Sequence, residues 1–254
     1  MSPYVKPSSG RRRYGGCLLG VLLTLMVVGG GLGFLFWQTH HSATLSVGTH
    51  PTIRSATGCT GTVVVQAGPA NQVTFTGNIP SYTQKSSTNT IELGDDCQNI
   101  TITVPPVANL DIGASEDITV HGVSGTMNLS TANGSRIDLE QVTLEGQSRI
   151  DAYDTGGTNI DGYGGPIVLN GSLAPGSATT VTDQSDTINI TLSPDTSCQL
   201  DIFGSPSKIT SNIPGVQMPA DQTSHVLANI GNNPSVAKLM LEAYDTAIIL
   251  RKGP

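Results

Sequence analysis

The chain has few aromatic and few charged residues, and this limits how its core can be built. Aromatic residues make up 4% of the 254 residues, and charged residues make up 12%. With so few large rings, a wide core between two packed sheets is hard to fill, whereas stacked Ile, Val and Leu side chains suit a narrow one. Long helical periodicity is also missing, and alternation with a period of two dominates. We therefore expect an all-β domain.

Short motifs that carry common enzyme chemistry are missing as well. The sequence contains no G-x-S-x-G, no H-E-x-x-H, no P-loop and no C-x-x-C. Paired acids do occur, and a glycosidase needs two carboxylates, but a solvated acidic face explains these pairs. The pairs are Asp138 with Glu140, Asp151 with Asp154, and Asp183 with Asp186. We predict that the protein is not an enzyme and has no catalytic residues.

A stretch without charge lies near the N-terminus. Residues 14–53 contain no Lys, Arg, Asp or Glu, and the 21 residues from Cys17 to Trp37 are almost all apolar. A helix of that length spans about 30 Å, the thickness of the hydrocarbon core of a bilayer. We predict a transmembrane helix over residues 14–38. A cleaved signal peptide is the alternative, although its apolar segment is normally only about 7–15 residues long.

Basic residues flank this helix on one side only. Lys6 and residues 11–13, all Arg, precede it, and the next basic residue is Arg54. Because positive residues stay in the cytoplasm, residues 1–13 are expected to form a cytoplasmic tail. The remainder of the chain is then extracytoplasmic, and the protein spans the cell membrane once.

Two features of the predicted helix bear on helix association and on lipid attachment. Gly29 and Gly33 form a G-x-x-x-G pair, which lets two helices approach closely. A homo-oligomer formed through this helix is therefore one hypothesis. Cys17 begins the apolar stretch, whereas the lipidated Cys of a lipoprotein follows it, so we interpret Cys17 as an ordinary residue at the membrane edge.

The outer part of the chain is acidic. All 19 acidic residues and 8 of the 12 basic residues follow residue 37, which gives this part a net charge of −11. Such a charge argues against binding to nucleic acid or to anionic lipid. It suits solubility, a cation or a basic partner.

The outer part divides into three segments. Residues 39–50 have the composition of a polar linker. Residues 51–106 are predicted to form an antiparallel β cap region, which includes a hairpin from Val63 to Phe75 with its turn at residues 67–71. The third segment, residues 107–254, repeats short strands every 8 to 13 residues, with Gly-rich or polar turns between them.

Short strands at this spacing fit two folds. One is a β-sandwich of hairpins, and the other is a β-solenoid, in which each strand stacks on its equivalent in the next coil. The scarcity of aromatic residues favours the solenoid. A solenoid needs its ends covered, and residues 238–251 are predicted to supply a terminal strand pair.

The segment from Leu110 to Val216 has a characteristic rhythm of strands bounded by Gly. It is seen in Asp-Ile-Thr-Val-His-Gly-Val-Ser-Gly, in Thr-Met-Asn-Leu-Ser-Thr-Ala-Asn-Gly-Ser and in Arg-Ile-Asp-Leu-Glu-Gln-Val. This rhythm resembles the bacterial envelope family known as "putative adhesin", from about residue 51 onward. The resemblance implies a β-solenoid repeat domain behind an N-terminal membrane helix, and it brings no site residues with it.

Three cysteines lie in the outer part, where disulfides are permitted. Cys59 and Cys97 stand in turn-like sequences, whereas Cys198 alternates with Leu200 and Ile202 and is expected to face the core. We predict a disulfide between Cys59 and Cys97, and a buried free thiol at Cys198.

One segment partly matches a calcium-binding repeat. Residues 156–163 resemble a single copy of the nonapeptide of calcium β-rolls, with Asn159 in place of one Gly. Such sites need tandem copies to complete the oxygen ligands of the ion. No metal and no cofactor is therefore predicted.

These observations favour a non-enzymatic envelope protein. The prediction is an anchored β-solenoid that presents a surface rich in Thr, Ser, Asn and Asp for adhesion or for contact with a protein or a glycan. The alternative is the input domain of an envelope sensor or regulator, although a cytoplasmic tail of about 13 residues is short for signalling. An enzyme that acts on polysaccharides is less favoured.

Overall fold

The computed structural model describes residues 42–253, except 56, 133, 153–163, 215, 217–224 and 233–236. These residues form strands and the turns between them, so the prediction of an all-β domain is confirmed. The predicted cytoplasmic tail and transmembrane helix lie outside the described residues. Within the described part, no helix is long and apolar enough to cross a bilayer.

The described residues form 21 strands, which belong to two mixed sheets. The strands are β1 (Ser42–Ser46), β2 (Thr52–Ser55), β3 (Thr60–Ala67), β4 (Gln72–Asn78), β5 (Tyr82–Lys85), β6 (Thr90–Leu93), β7 (Gln98–Val104), β8 (Asn109–Ala114), β9 (Ile118–His121), β10 (Ser124–Gly125), β11 (Met127–Thr131), β12 (Ile137–Leu144), β13 (Gln147–Asp151), β14 (Ile167–Leu173), β15 (Ala178–Gln184), β16 (Thr187–Leu192), β17 (Cys198–Ser205), β18 (Lys208–Ser211), β19 (Val226–Ile230), β20 (Lys238–Tyr244) and β21 (Ala247–Lys252).

Parallel pairing dominates both sheets. Sheet 1 has the order β1-β4-β7-β3-β9-β12-β14-β16-β21-β18, with β10 beside β12. Sheet 2 has the order β5-β6-β2-β8-β11-β13-β15-β20-β17-β19. Antiparallel pairs occur only towards the ends of the described sheets, where β1 pairs with β4, β4 with β7, β5 with β6, and β17 with β19.

The chain passes repeatedly from a strand of sheet 2 to a strand of sheet 1. We call each such pair a rung. In stacking order, the rungs of the described residues are β6/β7, β2/β3, β8/β9, β11/β12, β13/β14, β15/β16, β20/β21 and β17/β18. Because one rung has only a few inward side chains, it is stable only when it packs between neighbouring rungs.

Inward side chains stack in columns from rung to rung. One column of sheet 1 contains Ile100, Val63, Ile118, Ile137, Ile167, Ile188 and Ile248. A column of sheet 2 contains Ile112, Leu129, Ile150, Val181, Leu241 and Ile202. All of these side chains are buried, and burying each contributes about 1.5–3 kcal/mol.

Two rungs lie out of chain order. The rung β2/β3 lies between β6/β7 and β8/β9, and the rung β20/β21 lies between β15/β16 and β17/β18. The prediction that residues 238–251 form a terminal strand pair is therefore wrong about their place. Both strands form, but each belongs to a different sheet and is paired on both sides, because Leu241 and Leu250 supply fully buried positions inside the stack.

The structure also differs from the predicted linker over residues 39–50. Ser42–Ser46 forms β1 and pairs with β4, so that Ala43 lies opposite Phe75 and Leu45 opposite Val73. Ala43 and Leu45 are partly buried against the core. The physical reason is that a strand at the end of a sheet needs only one modest apolar face, which the composition of a short polar segment conceals.

Residues 51–106 do not form the purely antiparallel cap that was predicted. The hairpin from Val63 to Phe75 is absent from the described sheets, because β7 lies between β3 and β4. It runs parallel to β3 and antiparallel to β4. An apolar strand with two free edges can pair with any apolar strand of matching register, and sequence proximity did not decide this case.

The place of β20 inside the stack can be tested by one substitution. Leu241 is 0% exposed and packs between two rungs. We expect Leu241→Ala to lower the free energy of unfolding by about 2–5 kcal/mol, because it leaves a cavity in the core. The matched control is Met240→Ala on the outer face, where the side chain is 39% exposed, with an expected loss of about 0.5 kcal/mol. Urea unfolding followed by circular dichroism measures both, and two equally small losses would contradict the placement.

Candidate functional site

A polar groove lies on the outer face of sheet 2, where β2, β8, β11 and β13 run side by side. It encloses about 410 Å³. Most of its lining is polar or charged, and the side chains concerned are Ser55, Thr57, Asp111, Asn128, Ser130, Arg149 and Asp151. They come from segments far apart in the sequence, which the stacking of the rungs brings together.

Parallel register aligns Asp111, Asn128 and Arg149 of the groove in one row, and Arg54 continues this row beside the groove. Arg54 lies beside Asp111, Asp111 beside Asn128, and Asn128 beside Arg149. Neighbouring residues of each strand point to the opposite face, into the core. The alternation that builds the core therefore also places these four side chains on one surface.

A second row lies two residues further along the strands and contains Gly113, Ser130 and Asp151. A Cβ atom at Gly113 would lie 3.2 Å from Oγ of Ser130 and 3.5 Å from Cα of Gly58. Because Gly113 has no side chain, the backbone at Gly58 passes over this position at van der Waals distance. The next amide, that of Cys59, donates to the carbonyl oxygen of Gly113 at 2.8 Å, and residues 57–58 form one wall of the groove.

Arg149 in the groove and Arg54 beside it each have a carboxylate partner. Nε of Arg54 lies 3.0 Å from Oδ2 of Asp111, and Nη2 of Arg149 lies 2.8 Å from Oδ2 of Asp151. Both arginine side chains are more than half exposed, whereas the Asp151 side chain is 10% exposed. The charges cancel within each ion pair, yet each guanidinium still directs N–H groups to solvent.

Sequence reasoning missed this groove, since its residues belong to four strands between residues 54 and 151. One signal was present. Ser-Arg-Ile-Asp occurs at residues 135–138 and again at 148–151, and the second copy supplies Arg149 and Asp151. The first copy forms an equivalent ion pair in sheet 1, with Nη2 of Arg136 2.9 Å from Oδ2 of Asp138.

The predicted disulfide is present in the structure. Cys59 and Cys97 are bonded, with their Cα atoms 4.7 Å apart. Because Cys59 follows Gly58 directly, this bond fixes the wall of the groove. A second tie runs to the same turn, where Oγ1 of Thr57 donates to Oδ1 of Asp95 at 2.8 Å. Cys198 is free and buried, as predicted, and burial raises the pKa of its thiol to about 11.

Asp138 and Glu140, identified as an acid pair in the sequence, each have a basic neighbour. Asp138 is paired with Arg136, and Oε2 of Glu140 lies 3.5 Å from Nδ1 of His121. Asp154 and the calcium-like segment 156–163 lie outside the described residues. Among the residues that the structure describes, no three His, Cys, Asp or Glu side chains come together in a group that could hold a metal ion.

Asp183 is more deeply buried than Asp151 and, unlike Asp151, it has no ion-pair partner among the described residues. It lies near the end of β15, is 0% exposed, and neither carboxylate oxygen has a hydrogen-bond partner within the described part of the chain. Oγ1 of Thr246 donates to the backbone carbonyl of Asp183 at 3.1 Å rather than to its carboxylate. Burial disfavours the charged form and raises the pKa of Asp183 from 3.8 to about 6.

Comparison with known proteins gives little. No protein-family model and no curated protein matches the chain. Among solved structures, a crystal structure of a "putative cell adhesion protein" from Clostridium sporogenes is similar at 8% identity, with a TM-score of 0.41. The match covers 84% of this chain and 99% of that one. A likeness of this degree carries no argument about what this chain does.

Removal of the disulfide is expected to destabilise the domain. The double variant Cys59→Ser, Cys97→Ser should lose about 3–4 kcal/mol of unfolding free energy, since the bond closes a loop of about 39 residues. Urea unfolding with and without reductant measures this loss. Reductant should lower the stability of the wild type and of the control Cys198→Ala alike, and should leave the double variant unchanged. A reductant effect that persists in the double variant would contradict the assignment.

Asp183 is expected to make stability depend on pH. Its pKa is higher in the folded state, so folding binds a proton, and its contribution to stability is present below about pH 4 and is lost as pH rises through about 6. Asp183→Asn should therefore stabilise the protein at pH 7 by on the order of 2 kcal/mol and flatten the curve between pH 4 and 6. Thermal unfolding across this range measures the effect. The control is Asp195→Asn in an exposed turn, and an equal change in both variants would refute the prediction.

Proposed function

We propose that this protein is a non-enzymatic envelope protein, anchored by a membrane helix over residues 14–38. The acidic domain after it lies outside the cytoplasm and presents a surface for adhesion or for contact with a protein or a glycan. The charge-free N-terminal stretch and the basic residues before it support this location.

We further propose that the outer domain is a β-solenoid whose ends are covered by antiparallel strands. Parallel pairing from rung to rung, with the chain alternating between two sheets, supports this fold. A β-sandwich, the alternative, is built from antiparallel sheets. In the described residues, antiparallel pairs involve only the outermost two or three strands at an end of a sheet.

The observation that carries the proposed function is the in-register alignment of polar side chains on the outer face of sheet 2. The row runs across neighbouring strands from Glu92 through Arg54, Asp111, Asn128 and Arg149. Stacked repeats produce extended binding surfaces of this kind. Such a surface can hold several units of a repetitive partner at once, which raises the overall affinity without any single strong contact.

Protease treatment of intact cells tests the location. With an epitope tag at the C-terminus of the full chain, protease added to spheroplasts should remove the tag, because the domain is exposed. A cytoplasmic protein serves as the control and should remain whole. In a second arm, cells that display the chain should adhere to envelope polysaccharide coated on plates more than cells that lack it. A protected tag would overturn the location, and equal adhesion would overturn the role in contact with glycans.

A further inference from the structure

We propose that the polar groove on sheet 2 is a binding site for a neutral, hydroxyl-rich ligand, namely an uncharged oligosaccharide chain. This inference rests on the proposed function for the exposure of the domain to the outside. It goes further by naming the site, its residues and the chemical class of the ligand.

The first argument is hydrogen-bond complementarity. A sugar hydroxyl both donates and accepts, so it is bound best where donors and acceptors alternate. Within the groove, the row offers an acceptor at Asp111, both at Asn128, and a donor at Arg149, and it continues beside the groove with a donor at Arg54. Asn128 is exposed, and its side-chain amide makes no hydrogen bond within the described residues. The two donors and the acceptor of this side chain are therefore available for a ligand.

The second argument is charge. Arg54 is neutralised by Asp111, and Arg149 by Asp151, so the groove attracts neither an anion nor a cation strongly. The outer part of the chain carries a net charge of −11, which repels anionic polymers. Because both arginines are paired and the surrounding field is negative, the fitting ligand is polar and uncharged.

The third argument is size and shape. Strands of one sheet lie about 4.7–4.9 Å apart, so the four strands under the row span roughly 15 Å. The enclosed volume of about 410 Å³ falls within the range of about 300–1,000 Å³ seen for small-molecule sites. The groove is open to solvent, and no aromatic side chain is found among the described residues of its lining. We therefore expect weak binding at a single site, with a Kd on the order of 1 mM.

The fourth argument is that the groove is held in shape before any ligand arrives. Its floor consists of paired strands, and the wall at residues 57–58 is fixed by the Cys59–Cys97 disulfide. The hydrogen bond from Thr57 to Asp95 fixes the same wall. A site that needs no ordering loses less free energy on binding. Individually weak hydrogen bonds are therefore sufficient to hold a ligand there.

A second groove is larger but lacks this chemistry. It encloses about 540 Å³ and lies along turns between the strands of the two sheets, beside Pro175 and Asp195. Its lining contains one charged residue, Asp195, and no arginine. An alternating row of donors and acceptors is present only in the first of these two grooves.

The test is ligand-observed saturation-transfer NMR on the full chain in lipid nanodiscs, since detergents with sugar headgroups would compete. The probes are maltotriose, cellotriose and N,N′,N″-triacetylchitotriose, with a hyaluronan tetrasaccharide as the anionic comparison and empty nanodiscs as the blank. We expect at least one of the neutral trisaccharides to show transfer from the protein, at a concentration of several millimolar. The anionic probe should show less.

Three variants assign the binding to the groove. Arg149→Gln should weaken binding about tenfold, and Asn128→Ala about threefold, in line with the loss of a charged and a neutral hydrogen bond. Ser130→Tyr should block the groove without removing a hydrogen bond of the described residues. The matched control is Arg136→Gln, which breaks the equivalent ion pair of the other Ser-Arg-Ile-Asp copy in sheet 1 and should leave binding unchanged.

The outcomes separate this inference from the proposed function. It is overturned if no neutral trisaccharide binds, if the anionic probe binds better, or if Asn128→Ala and Ser130→Tyr leave binding unchanged. Equal losses in Arg136→Gln and Arg149→Gln would also overturn it. Such results leave the location of the domain untouched, because protease accessibility tests that independently. Conversely, a cytoplasmic domain that binds these sugars through the groove would support the site and refute the envelope location.

Discussion

The structure depends on the in-register stacking of inward Ile, Val and Leu side chains from one rung to the next. A slip of one residue would turn a whole strand's apolar set towards solvent, so the columns through Ile118 and Leu129 fix the register of every strand beside them. Register on the inner face determines register on the outer face. The row of Arg54, Asp111, Asn128 and Arg149 is therefore aligned by the core beneath it.

The ends of the stack require a different solution. An unpaired strand edge invites pairing with other chains. Of the four outermost described strands, three are short and pair antiparallel with their neighbour, whereas Lys208–Ser211 pairs parallel with β21. Ser42–Ser46 and Tyr82–Lys85 cover one end, and Val226–Ile230 covers the edge of sheet 2 at the other. Their outer positions are exposed and mostly polar, although Leu227 is 65% exposed. Parallel coils in the middle and antiparallel strands at the ends thus serve separate purposes.

Much of the local structure could be predicted from the sequence, because a period of two identifies both the strands and their inward residues. The burial of Cys198 follows from the same pattern, and the disulfide was predicted from the turn-like sequences around Cys59 and Cys97. Strand order could not be predicted, since backbone hydrogen bonds do not distinguish one apolar strand from another: Val63 neighbours Ile100 and Ile118 rather than Val73. Ile137–Leu144 forms one strand with an irregularity at Gln141, where φ is 55°, and a period of two alone does not predict this. The groove could not be predicted from the sequence either, because the strand order brings its lining residues together.

The inserted rung β20/β21 has a consequence for how the chain is made. Among the described strands, β17 pairs only with β19 and β20, and β18 pairs only with β21. Residues 198–230 leave the ribosome before the segment that connects them to the rest of the sheets. Residues 238–252 therefore connect β17 and β18 to the rest of the sheets, and a nascent chain cannot complete its sheets until this segment has been synthesised. A prematurely terminated product would leave β17 and β18 without their parallel neighbours.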